Sequence, residues 1–153
     1  MNTEKSFTSP ISGELLTLEQ IPDENFSDGG LGKGFGVKFS GESVVSPFDG
    51  VVLVALKAGH AFILRREDGL EVLIHIGLNS ADKPEAFRAQ VKKYQKVKQG
   101  EVLTYVDTSK LGSDEKDLVS PIVFSNPDVK IDLLGKTRLL VGENEIKVSL
   151  KYT

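Results

Sequence analysis

HAFILRREDGLEVLIH, residues 60–75, is the stretch on which the reading of this chain turns. Two runs of strand length flank Asp68-Gly69, a dipeptide that turns a two-residue hairpin readily because both positions tolerate φ > 0. The only two histidines of the chain stand at its two ends. A two-residue loop sets Leu70 opposite Glu67, Glu71 opposite Arg66, Leu73 opposite Leu64 and His75 opposite Phe62. Directly opposed residues share a face, as do alternate residues along one strand, so His60 and His75 become diagonal neighbours. A three-residue loop, Glu67-Asp68-Gly69, shifts the register by one and puts the histidines on opposite faces. The Asp-Gly signal favours the two-residue loop.

Outward from the hairpin the same punctuation recurs. Fifteen glycines fall between short runs rich in Val, Ile, Leu and Phe, among them GELLTLEQI, GFGVKF, GVVLVAL, EVLTYVD, IVFS, TRLLVG and EIKVSLKYT. Each has strand length and none keeps a helical period. The exception is DKPEAFRAQVKKY, where Pro84 suits a first helical turn and Phe87, Val91 and Tyr94 share a helical face. The expected fold is all-β, a compact antiparallel β-sandwich or flattened barrel with a few short helical turns. No composition break marks a boundary, so residues 1–153 read as one domain.

Composition narrows the chemistry. The chain has 153 residues, 39% of them apolar and 27% charged, which is ordinary for a soluble globular protein. A net charge of −3 gives no electrostatic case for nucleic acid or an anionic membrane. The absence of cysteine excludes disulfides, thiolate nucleophiles and Cys-ligated zinc. The longest apolar run, VVLVAL at 51–56, is too short to span a bilayer, and MNTEKSFTSP lacks the layout of a signal peptide. A cytoplasmic protein that does not itself span a membrane is expected.

Two imidazoles on one face can orient each other's tautomer, one ring nitrogen donating while another stays free as a nucleophile. The same pair can supply two metal ligands, but zinc needs a third, and no spaced Asp, Glu or His set completes one. A strand histidine can equally be a half-buried residue with one satisfied hydrogen bond.

Taken together, SPISGELLTLEQIPD, GKGFGVKF, VVSPFDGVV, GHAFILRREDGLEVLIHIGLN, KVKQGEVL, SPIVFSN and VGENEIKVSLK resemble, in order, the glucose-type IIA components of the bacterial phosphoenolpyruvate-dependent sugar phosphotransferase system. The likeness runs over about residues 8–152, and the block carrying both histidines is its specific part. It implies the same β fold and a phosphoryl relay. His75 would accept the group from the histidine phosphocarrier protein HPr. His60 would stabilise it, and a cysteine on the IIB domain of a sugar permease would receive it. No cofactor is required. Partner docking would use Phe26, Leu31, Leu56 and Leu73 as an apolar rim, with Asp23 and Asn79 at its edge. For the four apolar residues, core packing is the competing role.

Three positions depart from the family. Asn79 replaces an acid after HIG, Lys33 replaces the acid of a GDG segment, and Ala58 stands where many members carry a threonine whose hydroxyl can hold an imidazole nitrogen. These departures keep an alternative open: a non-transferring regulatory module of the same fold, bridged by zinc through His60, His75 and a partner's carboxylate. Two other readings fall away. A biotinyl or lipoyl carrier needs a lysine displayed in a tight turn, between methionines in biotin carriers, and the only methionine here is Met1. A zinc peptidase would need a His-x-His pair and a third ligand.

Overall fold

The computed structural model describes residues 6–151. The chain passes through β1 (Ser12–Thr17), a short helix α1 (Glu24–Ser27), β2 (Lys33–Ser40), β3 (Ser43–Val45) and β4 (Gly50–Ala55). The hairpin strands are β5 (Ala61–Arg66) and β6 (Glu71–His75). Then come β7 (Phe87–Ala89), β8 (Lys96–Val97), β9 (Val102–Val106), β10 (Val119–Phe124), β11 (Val129–Asp132), β12 (Arg138–Leu139) and β13 (Lys147–Leu150). The run expected as a strand over 145–153 thus pairs at 147–150, and its last two residues lie outside the described range.

Eight strands form one antiparallel sheet in the order β12-β1-β2-β10-β6-β5-β4-β8. A three-stranded sheet, β3-β9-β7, and the pair β11-β13 complete the set. The architecture is the expected antiparallel sandwich, and the barrel alternative is not realised. The large sheet ends on the two-residue strands β12 and β8 and does not close, and such short edges offer little ladder to an intruding strand. Alternation explains the core. Phe62, Leu64, Val72 and Ile74 point inward from the hairpin and meet Val44, Leu103, Val106, Val129 and Val148 from the smaller sheets. On the opposite face of the large sheet a second cluster forms, Ile21, Phe26, Val119 and Val123, with Leu73 and Leu78 packed on it.

Two expectations fail in instructive ways. The segment DKPEAFRAQVKKY makes only one 3-10 turn, Pro84–Ala86, before Phe87 opens β7 and pairs with Val106. Pro84 does sit at the start of that turn, but Tyr94 is 70% exposed, so the shared apolar face does not exist. The hairpin register is that of the three-residue loop. Glu71 opposes Arg65, Leu73 opposes Ile63 and His75 opposes Ala61, while the Arg66 N–H donates to the Leu70 carbonyl at 2.8 Å. The cause is Arg66 itself. It is 4% exposed, and its guanidinium takes both Asp68 carboxylate oxygens at 2.8 Å, which holds Asp68 inside the loop. The expected Arg66–Glu71 pair is therefore replaced by Arg66–Asp68.

Candidate functional site

His75 ends β6, and in this register strict alternation would send His60 to the other face. The rings nevertheless meet, edge to face at 88° with centroids 5.1 Å apart. His60 escapes the alternation because it lies one residue before β5 and directly follows Gly59 at φ +84°. There a Cβ would press on Phe87 at 3.1 Å, so the glycine both turns the chain and lets it approach β7. The two backbones are also tied, the Ile76 N–H donating to the His60 carbonyl at 2.8 Å.

The pair sits in an apolar collar. Phe87 lies 6.2 Å from His60 and Phe26 meets His75 edge-on at 6.0 Å. His60 is 6% exposed, and burial lowers its pKa from the ordinary histidine value. Burial, and then the neighbouring His60, push His75 down to about 4, against the opposing pull of the Gly77 backbone and the Asp23 carboxylate. Both rings are therefore neutral near pH 7. The Nδ1 atom of each is buried and, among the described residues, has no hydrogen-bond partner.

The loop after His75 is fixed by the fold. The Gly77 N–H donates to the buried Ser120 hydroxyl at 3.1 Å, and the Leu78 N–H to the Lys116 carbonyl at 3.4 Å. The Ser80 hydroxyl donates to the Ile76 and Gly77 carbonyls. These contacts leave none of the amides of Ile76, Gly77 and Leu78 free to bind an anion. All three already have acceptors.

The other expected residues divide. Phe26 is 7% exposed, at once a core residue and a wall of the site. Leu73 is half-buried beside it. Asp23 caps α1 by accepting the Asn25 N–H at 3.0 Å while its charge acts on His75. Leu31 and Leu56 are exposed, and Leu56 heads the turn that leads to His60, its carbonyl accepting the Gly59 N–H at 2.9 Å. Asn79 does not project a free amide. It donates to Asp117 at 3.1 Å, and that hydrogen bond leads the causes holding the Asp117 carboxyl below its usual range, with Lys83 also beside it at 3.5 Å. Lys33 lies apart, at the start of β2, where its ammonium donates to the Pro127 carbonyl at 3.3 Å. Ala58 offers no hydroxyl to His60, and the Nδ1 atom that such a group could hold is the unpartnered one.

Sequence reasoning missed Phe87, Ser120 and Asp117. The sequence pattern places Phe87 on a helix face, and the long-range partners of Ser120 and Asp117 leave no local signal. Among the described residues no group of three His, Cys, Asp or Glu side chains could hold a metal, so a zinc ion on the histidines would need a ligand from a partner. No helix among them is long and apolar enough to cross a membrane.

Comparison with known proteins places the chain among relatives of one family. Residues 5–129 match the family described as phosphoenolpyruvate-dependent sugar phosphotransferase system, EIIA 1. A glucose-specific EIIA component of Oceanobacillus iheyensis is 35% identical over 94% of this chain and 88% of its own length. A glucose-specific EIIBCA component of Corynebacterium glutamicum is 38% identical over 84% of this chain, which spans only 19% of that longer protein. The solved glucose permease IIA from Mycoplasma capricolum superimposes with a TM-score of 0.79 at 27% identity, covering 96% of both chains. The chain thus belongs to the EIIA 1 family of the phosphoenolpyruvate-dependent sugar phosphotransferase system.

Proposed function

We propose that this chain is a cytoplasmic phosphocarrier, acting as a single domain, that takes a phosphoryl group from HPr on His75 and hands it to a cysteine of a permease IIB domain during sugar uptake. The observation that carries the reading is the perpendicular pair of neutral imidazoles in an apolar collar. Relatives whose names join EIIB, EIIC and EIIA in one chain support the IIB partner.

A pKa near 4 leaves His75 unprotonated at cellular pH, so its lone pair attacks phosphorus without a separate base. With Nδ1 buried, Nε2 is the reacting atom. The new N–P bond forms as the N–P bond of the donor histidine breaks, and the donor imidazole leaves as the neutral ring. In the onward step the N–P bond of His75 breaks as a cysteine thiolate takes the phosphorus. Catalysis then rests on in-line placement and on stabilising the three equatorial oxygens.

Because the amides of Ile76, Gly77 and Leu78 are engaged, the nearest donor for those oxygens is His60. Its imidazole carries the proton toward the phosphoryl group, and the phosphoryl charge favours protonation of the ring. Phe26, Leu73, Leu56 and Leu31 exclude water around the group and form the rim on which a partner docks, with Asp23 offering charge to a basic partner surface.

The division of labour is tested by charging wild type and His60→Ala with phosphoryl groups and adding a purified IIB domain. His60→Ala should accept the group, yet pass it on at least tenfold more slowly. Equal transfer from both would contradict the role given to His60.

A further inference from the structure

A net charge of −3 conceals a strongly asymmetric surface. From Arg88 to Gly100 the sequence RAQVKKYQKVKQG carries five positive charges and no acid. The loop that leads into β8, β8 itself and the residue that follows it display Lys92, Lys93, Lys96 and Lys98, all exposed. None of the four is in an ion pair among the described residues. Two nearby acids, Glu101 and Asp49, answer the backbone instead, while Glu67 also lines the groove beside Lys96 and Lys98. Glu101 accepts the Lys98 N–H at 3.0 Å and Asp49 the Gln99 N–H at 2.7 Å.

In the middle of these lysines stands Tyr94. Its backbone takes φ +72°, a region that disfavours a bulky side chain, and is held there by its N–H to the Val52 carbonyl at 2.6 Å. The ring is 70% exposed, with the Lys93 ammonium 4.8 Å from its centre. A strained backbone that presents an aromatic ring to solvent among unpaired lysines is a feature the phosphoryl relay does not use.

We infer that this edge of the sheet is a docking surface for anionic lipid headgroups. The composition selects that occupant. Cationic anchors at protein interfaces are typically arginines, with lysine depleted, whereas these four are all lysines, flexible point charges suited to a fluid surface of phosphates. A lone tyrosine among them matches the aromatic residue that settles at headgroup level. The position fits as well. β8 is the outer strand of the large sheet, and β4 and β5 separate it from β6 and His75. A bilayer can therefore touch the edge while the histidine face stays open to a protein.

Vesicle sedimentation tests this, with phosphatidylcholine vesicles containing 30% phosphatidylglycerol against phosphatidylcholine alone, at about 0.1 M salt, where screening leaves only charges near the surface effective. Each lysine close to an anionic surface contributes roughly a fivefold factor in affinity. Wild type should partition at least tenfold more strongly onto the phosphatidylglycerol vesicles. The quadruple variant K92Q/K93Q/K96Q/K98Q should lose that preference. A control, K110Q/K130Q/K136Q/K147Q, makes the same change in net charge at exposed positions elsewhere and should keep it. In Tyr94→Trp, fluorescence should shift to the blue only on the anionic vesicles. Equal partitioning onto both vesicles, or equal loss in the two quadruple variants, would overturn the inference. So would a loop variant that slows phosphoryl exchange with a protein partner while wild type ignores lipid, which would make the loop a protein contact.

Discussion

His75 holds a proton weakly because its ring is buried and because the second imidazole stands against it. Its folded pKa of about 4 lies below the unfolded value of 6.5, so between those values the unfolded chain binds more protons. Stability is therefore full above about pH 6.5 and falls as the pH drops toward 4, by up to roughly 3 kcal/mol from this residue. His60, shifted the same way, adds to the trend. Denaturant midpoints at pH 7 and pH 4.5 should differ more in wild type than in His75→Gln, and identical differences would refute the assignment. Ala58 offers a second test at this scale. The buried His60 Nδ1 lacks a partner among the described residues, and Ala58→Thr supplies a hydroxyl two residues away. The gain should be about 0.5–1.5 kcal/mol. Ala58→Val adds comparable bulk without the hydroxyl, so an equal effect would rule out a hydrogen bond.

The hairpin and the loop after it are the elements that place the pair. The Arg66–Asp68 ion pair, with side chains 3% and 6% exposed, closes the hairpin, and the Arg66 guanidinium also reaches the Ser6 carbonyl at 3.2 Å. Asp68→Ala leaves a buried cation without its counter-charge and should cost about 3–5 kcal/mol in denaturant unfolding. A loss under 1 kcal/mol would show that water reaches the arginine. Gly77 is the tighter constraint on the site, at φ +74° with an added Cβ falling 2.5 Å from the Asp117 carbonyl. Gly77→Ala should slow phosphoryl acceptance at least tenfold. Gly69→Ala, at φ +98° in open space, should leave acceptance unchanged and cost about 1 kcal/mol of stability. Equal kinetics in both variants would contradict the positioning role. These elements also mark what sequence could reveal. Asp68-Gly69 announced a hairpin, but its register depended on a buried arginine that no local pattern shows. The histidines meet for a reason that strand alternation does not contain, the turn at Gly59.

Over the whole molecule, alternating apolar runs were enough to read an antiparallel β protein, because period two survives wherever one strand face is buried. The short strands β3, β7, β8 and β11 were not legible, since two to four residues carry too little pattern. The sheet order was hidden for the same reason, and with it the way β10 brings Ser120 under the loop that follows His75. The two histidines were legible as a candidate pair, whereas the engaged amides beside them were not. The central claim is that this framework exists to present His75 as a phosphoryl acceptor, and intact mass tests it most directly. Wild type and His75→Ala would be incubated with phosphoenolpyruvate, enzyme I and HPr, then weighed before and after acid treatment. One acid-labile phosphoryl group on wild type and none on His75→Ala is the predicted result. A folded wild type that stays unmodified beside a competent donor, or a His75→Ala variant that gains the same group, would contradict it.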